Sequence, residues 1–201
     1  MPDLTTRQGR GSLGFTLIEM MVTVVLLAIL FTLAMPSFSA WIRNSKVRAV
    51  ADSLQNGLRL AQAEATRRNR QVVFTLTNDS PTATAHTPAV NGTNWSLNTV
   101  AAYINDPVAF IEAGVLTDVA SGVQITGPAA ICFNAMGRMV DNPEPGFDSV
   151  ACSSTNQTYQ VGFASSTDGV DRPLRVTVKL GGQVRMCDPA KALTEGYADG
   201  C

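Results

Sequence analysis

The chain has 201 residues, 45% of them hydrophobic, with a formal net charge of −1. It is long enough for one membrane stem and one globular head with its own core. Its one histidine, His86, is far in sequence from all four cysteines, which leaves no zinc-ligand pattern. The near-zero charge hides an asymmetry. Residues 37–70 carry seven basic side chains against two acidic ones, and residues 71–201 carry six against twelve. An acidic head is a poor electrostatic footing for nucleic acid unless its few arginines cluster.

In chain order, residues 1–14 form a short leader containing Arg7 and Arg10 and ending at Gly14. Residues 15–35 follow as an apolar run of Leu, Val, Ile, Met, Phe and Ala. As a helix this run rises about 31 Å, close to the hydrocarbon thickness of a bilayer. It contains one charged residue, Glu19, near its start. A carboxylate in hydrocarbon costs at least ~2.5 kcal/mol, so it needs a partner or a task.

A basic leader ending in Gly14, then Phe15-Thr16-Leu17-Ile18-Glu19, then a long apolar run, resembles a type IV prepilin signal. The resemblance implies cleavage by prepilin peptidase between Gly14 and Phe15 and N-methylation of Phe15. It also implies that Glu19 neutralises the amino terminus of a neighbouring subunit during assembly. An amine and a carboxylate attract far more strongly in low dielectric than in water. Pro36 fits the same family, in which a proline often kinks the helix as it leaves the membrane.

Residues 37–70 turn amphipathic. Val47, Val50, Leu54, Leu58, Ala61 and Ala65 trace one helical face. One helix is therefore predicted from Phe15 to about Arg68, kinked or frayed near Pro36, with Gly57 allowing close approach to a strand. Strands are predicted over 71–77, 95–104, 108–111, 122–126, 130–133, 137–140, 158–164, 174–180 and 183–186, with Gly181-Gly182 as a two-residue hairpin turn. Residues 78–94 are a polar, turn-rich stretch with two prolines. The predicted class is α+β: a long N-terminal helix, membrane-spanning in its first half, packed on a head of mostly antiparallel strands. The predicted divisions are leader 1–14, membrane or filament-core helix 15–36, amphipathic helix 37–70 and β-rich head 71–201.

All four cysteines lie in the head. Of the three pairings they allow, Cys132–Cys152 and Cys187–Cys201 are expected, since each pair is nearest in sequence and closes a loop without an apolar pattern. Disulfides place the head in an oxidising compartment, outside the cytoplasm.

Residues 45–77, an Arg-Leu-Ala-rich helix running into Val72-Val73-Phe74, resemble the FimT/FimU and GspH branch of minor pilins and pseudopilins, as do residues 182–189. Members of that branch that bind DNA carry Gly-Arg-x-Arg, whereas this chain has Gly182-Gln183-Val184-Arg185. Gln183 removes one phosphate contact. DNA contacts through Arg175, Lys179 and Arg185 are thus the secondary reading, against charged residues on the solvent face of an edge hairpin.

No phosphate loop and no Gly-x-Ser-x-Gly occurs, and the acidic loop with Asp141, Glu144 and Asp148 does not have EF-hand spacing. Asp168 and Asp171 read as turn residues first. No cofactor, metal or enzymatic activity is expected. The resemblance implies a minor type IV pilin at or near the pilus tip that supports pilus assembly, with a DNA-uptake pilin or a GspH-type pseudopilin of type II secretion as alternatives. Its implied partners are other minor and major pilins, prepilin peptidase and the bacterial inner membrane, with DNA only on the secondary reading. The implied topology is a single pass with a periplasmic head, later extracellular on the pilus.

Overall fold

The computed structural model describes residues 14–80, 87–117, 120–142, 150–166 and 169–201. Its longest element is a single helix, α1 (Leu17–Arg68), which runs through Pro36 without a break in assignment. The chain divides into two compact units between Ser39 and Ala40. In the first unit, every described side chain up to Ser39 is exposed. Thr23, Thr32, Ser37 and Ser39 each donate their hydroxyl to the carbonyl three residues earlier. Such back-bonding satisfies hydroxyls without water, as a lipid-facing helix requires. By length and composition this helix is able to cross a membrane.

In the second unit α1 buries the face read from its periodicity: Val47, Val50, Leu54, Leu58, Ala61 and Ala65, joined by Ala51, Gln55 and Gly57. A Cβ on Gly57 would lie 3.0 Å from the Phe74 ring and 3.2 Å from Trp95, so glycine lets the helix sit against the strands. The helix ends where Asn69 takes a left-handed φ of 50° and the Arg70 N–H reaches back to the Ala65 carbonyl at 3.2 Å.

Nine strands follow among the described residues: β1 (Val72–Thr77), β2 (Asn94–Thr99), β3 (Phe110–Val115), β4 (Val123–Thr126), β5 (Ala130–Phe133), β6 (Met139–Val140), β7 (Gln157–Phe163), β8 (Leu174–Val178) and β9 (Val184–Cys187). They form two antiparallel sheets, ordered β3-β2-β1-β5-β6 and β4-β7-β8-β9. The second half of α1 and the inner faces of both sheets share one core, in which Phe74 stacks on Trp95 at 6.0 Å and meets Tyr159 edge-on at 6.4 Å. A smaller cluster of Val73, Val100, Ala130, Cys132 and Val150 covers the other face of the first sheet.

Some strand boundaries differ from the sequence reading. β2 stops at Thr99 rather than residue 104, because the chain turns, with the Asp106 N–H on the Tyr103 carbonyl. β3 extends through Glu112, Ala113 and Gly114, a poor strand sequence held in register opposite β2. Gly114 is needed there, since a Cβ would lie 2.7 Å from the Trp95 ring. β6 begins at Met139, because Asn134 uses its side-chain oxygen to accept from the Met136 and Arg138 N–H groups and so builds the preceding turn.

The β8–β9 turn is not a two-residue one. The Lys179 N–H pairs with the Gln183 carbonyl and the Gly182 N–H with the Lys179 carbonyl, leaving Leu180, Gly181 and Gly182 as the loop. Gly182 has a φ of 85°, the left-handed residue that a three-residue hairpin loop demands. Residue 86 and residues 144, 148 and 168, named above as His86, Glu144, Asp148 and Asp168, lie outside the described residues, as does the whole 81–86 stretch of the polar loop.

Candidate functional site

The candidate site begins at the amino-terminal end of α1. Gly14 and Phe15 precede the helix, and Phe15 is 80% exposed. The Thr16 hydroxyl oxygen accepts from the Glu19 N–H at 3.3 Å, which caps the first turn. Glu19 itself stands in that turn, where free backbone N–H groups favour a carboxylate. Beyond it, Leu26, Leu27, Ile29, Leu30 and Phe31 are all more than half exposed. Pro36 lies inside α1.

Where α1 enters the second unit, two polar residues tie it to the β7–β8 loop. The Arg43 guanidinium donates to both Asp171 carboxylate oxygens, at 2.7 and 2.6 Å, and to the Ser165 carbonyl at 3.3 Å. It also lies 4.2 Å from the centre of the Phe163 ring. The Asp171 side chain is 2% exposed, and the ion pair raises the Arg43 pKa. Next to it, the Asn44 amide donates to the Val170 carbonyl and accepts from the Arg172 N–H, copying the pairing of one strand residue with another. Arg43 lies off the apolar face of α1 traced by the sequence periodicity. Its partner is 128 residues away, and no local spacing announces it.

Farther along, α1 closes the outer edge of β9. Arg59 donates to the Val184 carbonyl at 3.4 Å. Gln55, with its amide oxygen toward the strand, accepts from the Met186 N–H at 3.1 Å and from Arg59 at 3.0 Å. An open edge that would template pairing is thereby blocked by helix side chains. The two sheets meet beside it, where the Met139 N–H donates to the Leu180 carbonyl and Gln62 donates to the Gly137 carbonyl, both at 3.0 Å.

The cysteines form two bridges, Cys132–Cys152 with Cα atoms 5.7 Å apart and Cys187–Cys201 at 5.1 Å. The first holds Val150 against the outer face of β1 and β5. The second folds the C-terminal tail onto β9, where Lys191 pairs with Asp199 and Asp188. Asp199 titrates below the usual carboxylate range, chiefly through its bond to Lys191.

Of the three basic residues read as DNA contacts, one is bonded to the tail of the chain. Arg175 and Lys179 are on β8 and its turn. Arg185, opposite Thr177, spends its guanidinium on the Ala198 and Gly200 carbonyls at 2.8 and 3.0 Å. It therefore fastens the tail. Asp141, from the acidic loop, accepts from the Ser154 N–H and hydroxyl. No group of three or more His, Cys, Asp or Glu side chains able to hold a metal occurs among the described residues.

Solved structures of similar fold include the type IV minor pilin FimU of Pseudomonas aeruginosa PAO1. It is 16% identical, covers 74% of this chain and 92% of its own, and has a TM-score of 0.48. The minor pseudopilin EpsH of the Vibrio cholerae type 2 secretion system is 14% identical, with 73% and 99% covered and a TM-score of 0.45. No curated protein matches. Residues 9–35 match the prokaryotic N-terminal methylation motif. Residues 50–182, more than half of the chain, match the family of the type II transport protein GspH. With that motif at its start and that match through its head, the chain belongs to the GspH family of pilin-like proteins.

Proposed function

We propose that this chain is a minor pilin subunit, processed after Gly14 by prepilin peptidase, methylated on Phe15 and incorporated at or near the tip of a type IV pilus, where it supports assembly. The observation that carries this reading is the first half of α1. Its apolar side chains are exposed along the whole stretch, and it lies within the residues that match a methylation motif. Before assembly this helix is held in the inner membrane with the head in the periplasm. During assembly it leaves the lipid and packs among equivalent helices.

Lipid tails are as apolar as leucine, so that transfer gains little from hydrophobicity alone. Register must come from a specific pair, and Glu19 with the amino terminus of a neighbour supplies one. A lone carboxylate left in low dielectric is strongly destabilising. The head makes contacts with other minor and major pilins and has a structural rather than a catalytic role.

The test is the amount of pilus sheared from cells lacking this chain. A large loss, restored by the wild-type chain but not by Glu19→Ala, supports the reading; normal pili overturn it. A second reading, a pseudopilin of type II secretion, is favoured by the match of residues 50–182 to the GspH family. It predicts a secretion defect with pili intact.

A further inference from the structure

We propose that Trp41, Ile42 and the docked loop at residues 170–172 form a collar that rests in the headgroup layer of an anionic bilayer before assembly. This inference depends on the membrane-held stage proposed above. Trp41 is 65% exposed, Ile42 38% and Val170 41%. These are large apolar groups left exposed at the start (the foot) of the second unit, as Tyr103, Ile104 and Met136 are elsewhere on it. The Asn44 bonds to Val170 and Arg172 fix the loop beside this turn of the helix. Arg172 is exposed there. Lys46, half-buried, reaches toward the Ser121 hydroxyl at 3.5 Å. The acid within the loop, Asp171, is neutralised by Arg43, so the described part of this foot is net basic.

Position along the chain fits a headgroup layer. The apolar run ends at Met35, and Trp41 follows six residues later, about 9 Å of helix rise. The interfacial layer extends roughly 5–8 Å beyond the hydrocarbon on each side. Helical side chains lean toward the helix N-terminus, which carries the indole back by a few ångströms into that layer. Tryptophan prefers this depth because its ring is apolar and its N–H is not. A cation such as Arg172 is attracted to an anionic surface.

The test uses the mature full-length chain in vesicles of phosphatidylcholine with and without phosphatidylglycerol. The chain has two tryptophans, so Trp95→Phe leaves Trp41 as the only reporter. If that variant does not fold, the difference between the wild-type and Trp41→Phe spectra isolates the same signal. The expected result is a blue-shifted Trp41 emission, quenched severalfold more by lipid brominated near the glycerol than by lipid brominated at the chain ends. Arg172→Glu is expected to reduce the shallow quenching in phosphatidylglycerol vesicles only. Chain that floats with vesicles while Trp41 emits as in water overturns the collar and leaves the membrane stage standing; in that case Trp41 faces another subunit. Chain that does not float overturns both.

Discussion

The two halves of α1 have the same secondary structure and opposite surroundings. Leu26 and Leu27 are 56% and 52% exposed, whereas Leu54 and Leu58 are fully buried. Helix propensity does not distinguish the two pairs, since all four are leucines. They differ in the pattern around them. The first half is apolar on every side, and the second is apolar on one face only. A helix that is hydrophobic all round is built for lipid or for other helices, and a striped one for the core it covers. The chain therefore satisfies its second half internally and leaves the first half for an environment that it does not supply.

The largest expected effect tests that division directly. Leu54→Ala should cost the head about 2–5 kcal/mol through lost burial and a residual cavity. Leu27→Ala should leave head unfolding within about 0.5 kcal/mol of wild type and instead lower incorporation into filaments. Thermal unfolding of both full-length variants in the same detergent is the measurement. Equal losses would mean that the two halves are not energetically distinct. Gly182→Ala should rival Leu54→Ala, because a Cβ there would lie 1.8 Å from the Gly137 oxygen on a backbone with a φ of 85°.

The next effect lies at the boundary between the halves. Arg43→Ala removes the bidentate partner of a carboxylate that is 2% exposed. Breaking a buried pair is strongly destabilising; Arg43 is itself 36% exposed, so solvent screening reduces the loss and the effect should fall below that of Leu54→Ala. Hydrogen exchange should show faster opening of α1 around Arg43 and Asn44 and unchanged protection around Leu58. Uniform loss along the helix would mean that this contact is not a local stop. Arg43→Ala combined with Asp171→Asn should recover part of the loss, since the stranded charge is gone.

How much of this was legible follows from the range of each interaction. The buried face of α1 could be read because its period of 3.6 is local, and β8 because Leu174, Val176 and Val178 alternate inward. β5 was legible as a short apolar run, and the helix-plus-antiparallel class followed from the order of these signals. β3 was only partly legible, because Glu112-Ala113-Gly114 lacks strand character and is placed by Trp95 on its neighbour. The role of Arg185 was not legible, because its acceptors lie in a tail folded back over the strand. The Arg43 pair was not legible for the same reason, since Asp171 lies 128 residues away. The amino-terminal motif was legible through its resemblance to a prepilin signal, a contiguous pattern that needs no distant partner.

A smaller effect of opposite sign sharpens the account of the second half. In its core the Tyr159 hydroxyl is buried without a hydrogen-bond partner among the described residues. Burial pushes this phenol well above its usual pKa, so it stays protonated. An unsatisfied buried polar group costs roughly 1–3 kcal/mol, so Tyr159→Phe should raise the stability of the head by about 1 kcal/mol. A drop in melting temperature would show that the hydroxyl has a partner, such as an ordered water.

The smallest expected effect is at the end of α1, where the helix is polar outside and apolar inside. Glu64 bonds to Arg67 and Arg68 at 2.7 Å, and these bonds hold its pKa down to about 2. A folded value below the unfolded one, near 4.3, means that the stabilisation is fully present above about pH 5 and fades as pH falls toward 2. Arg67 is 64% exposed, so solvent screens the pair and Glu64→Gln should cost less than 1 kcal/mol at pH 7. Denaturant midpoints of the two proteins should differ slightly at pH 7, converge by pH 2, and converge also in high salt at pH 7. A gap that persists at pH 2 would assign the effect to helix propensity or packing of the side chain. In that event the outer face of the second half would contribute through its carbon chains rather than its charges.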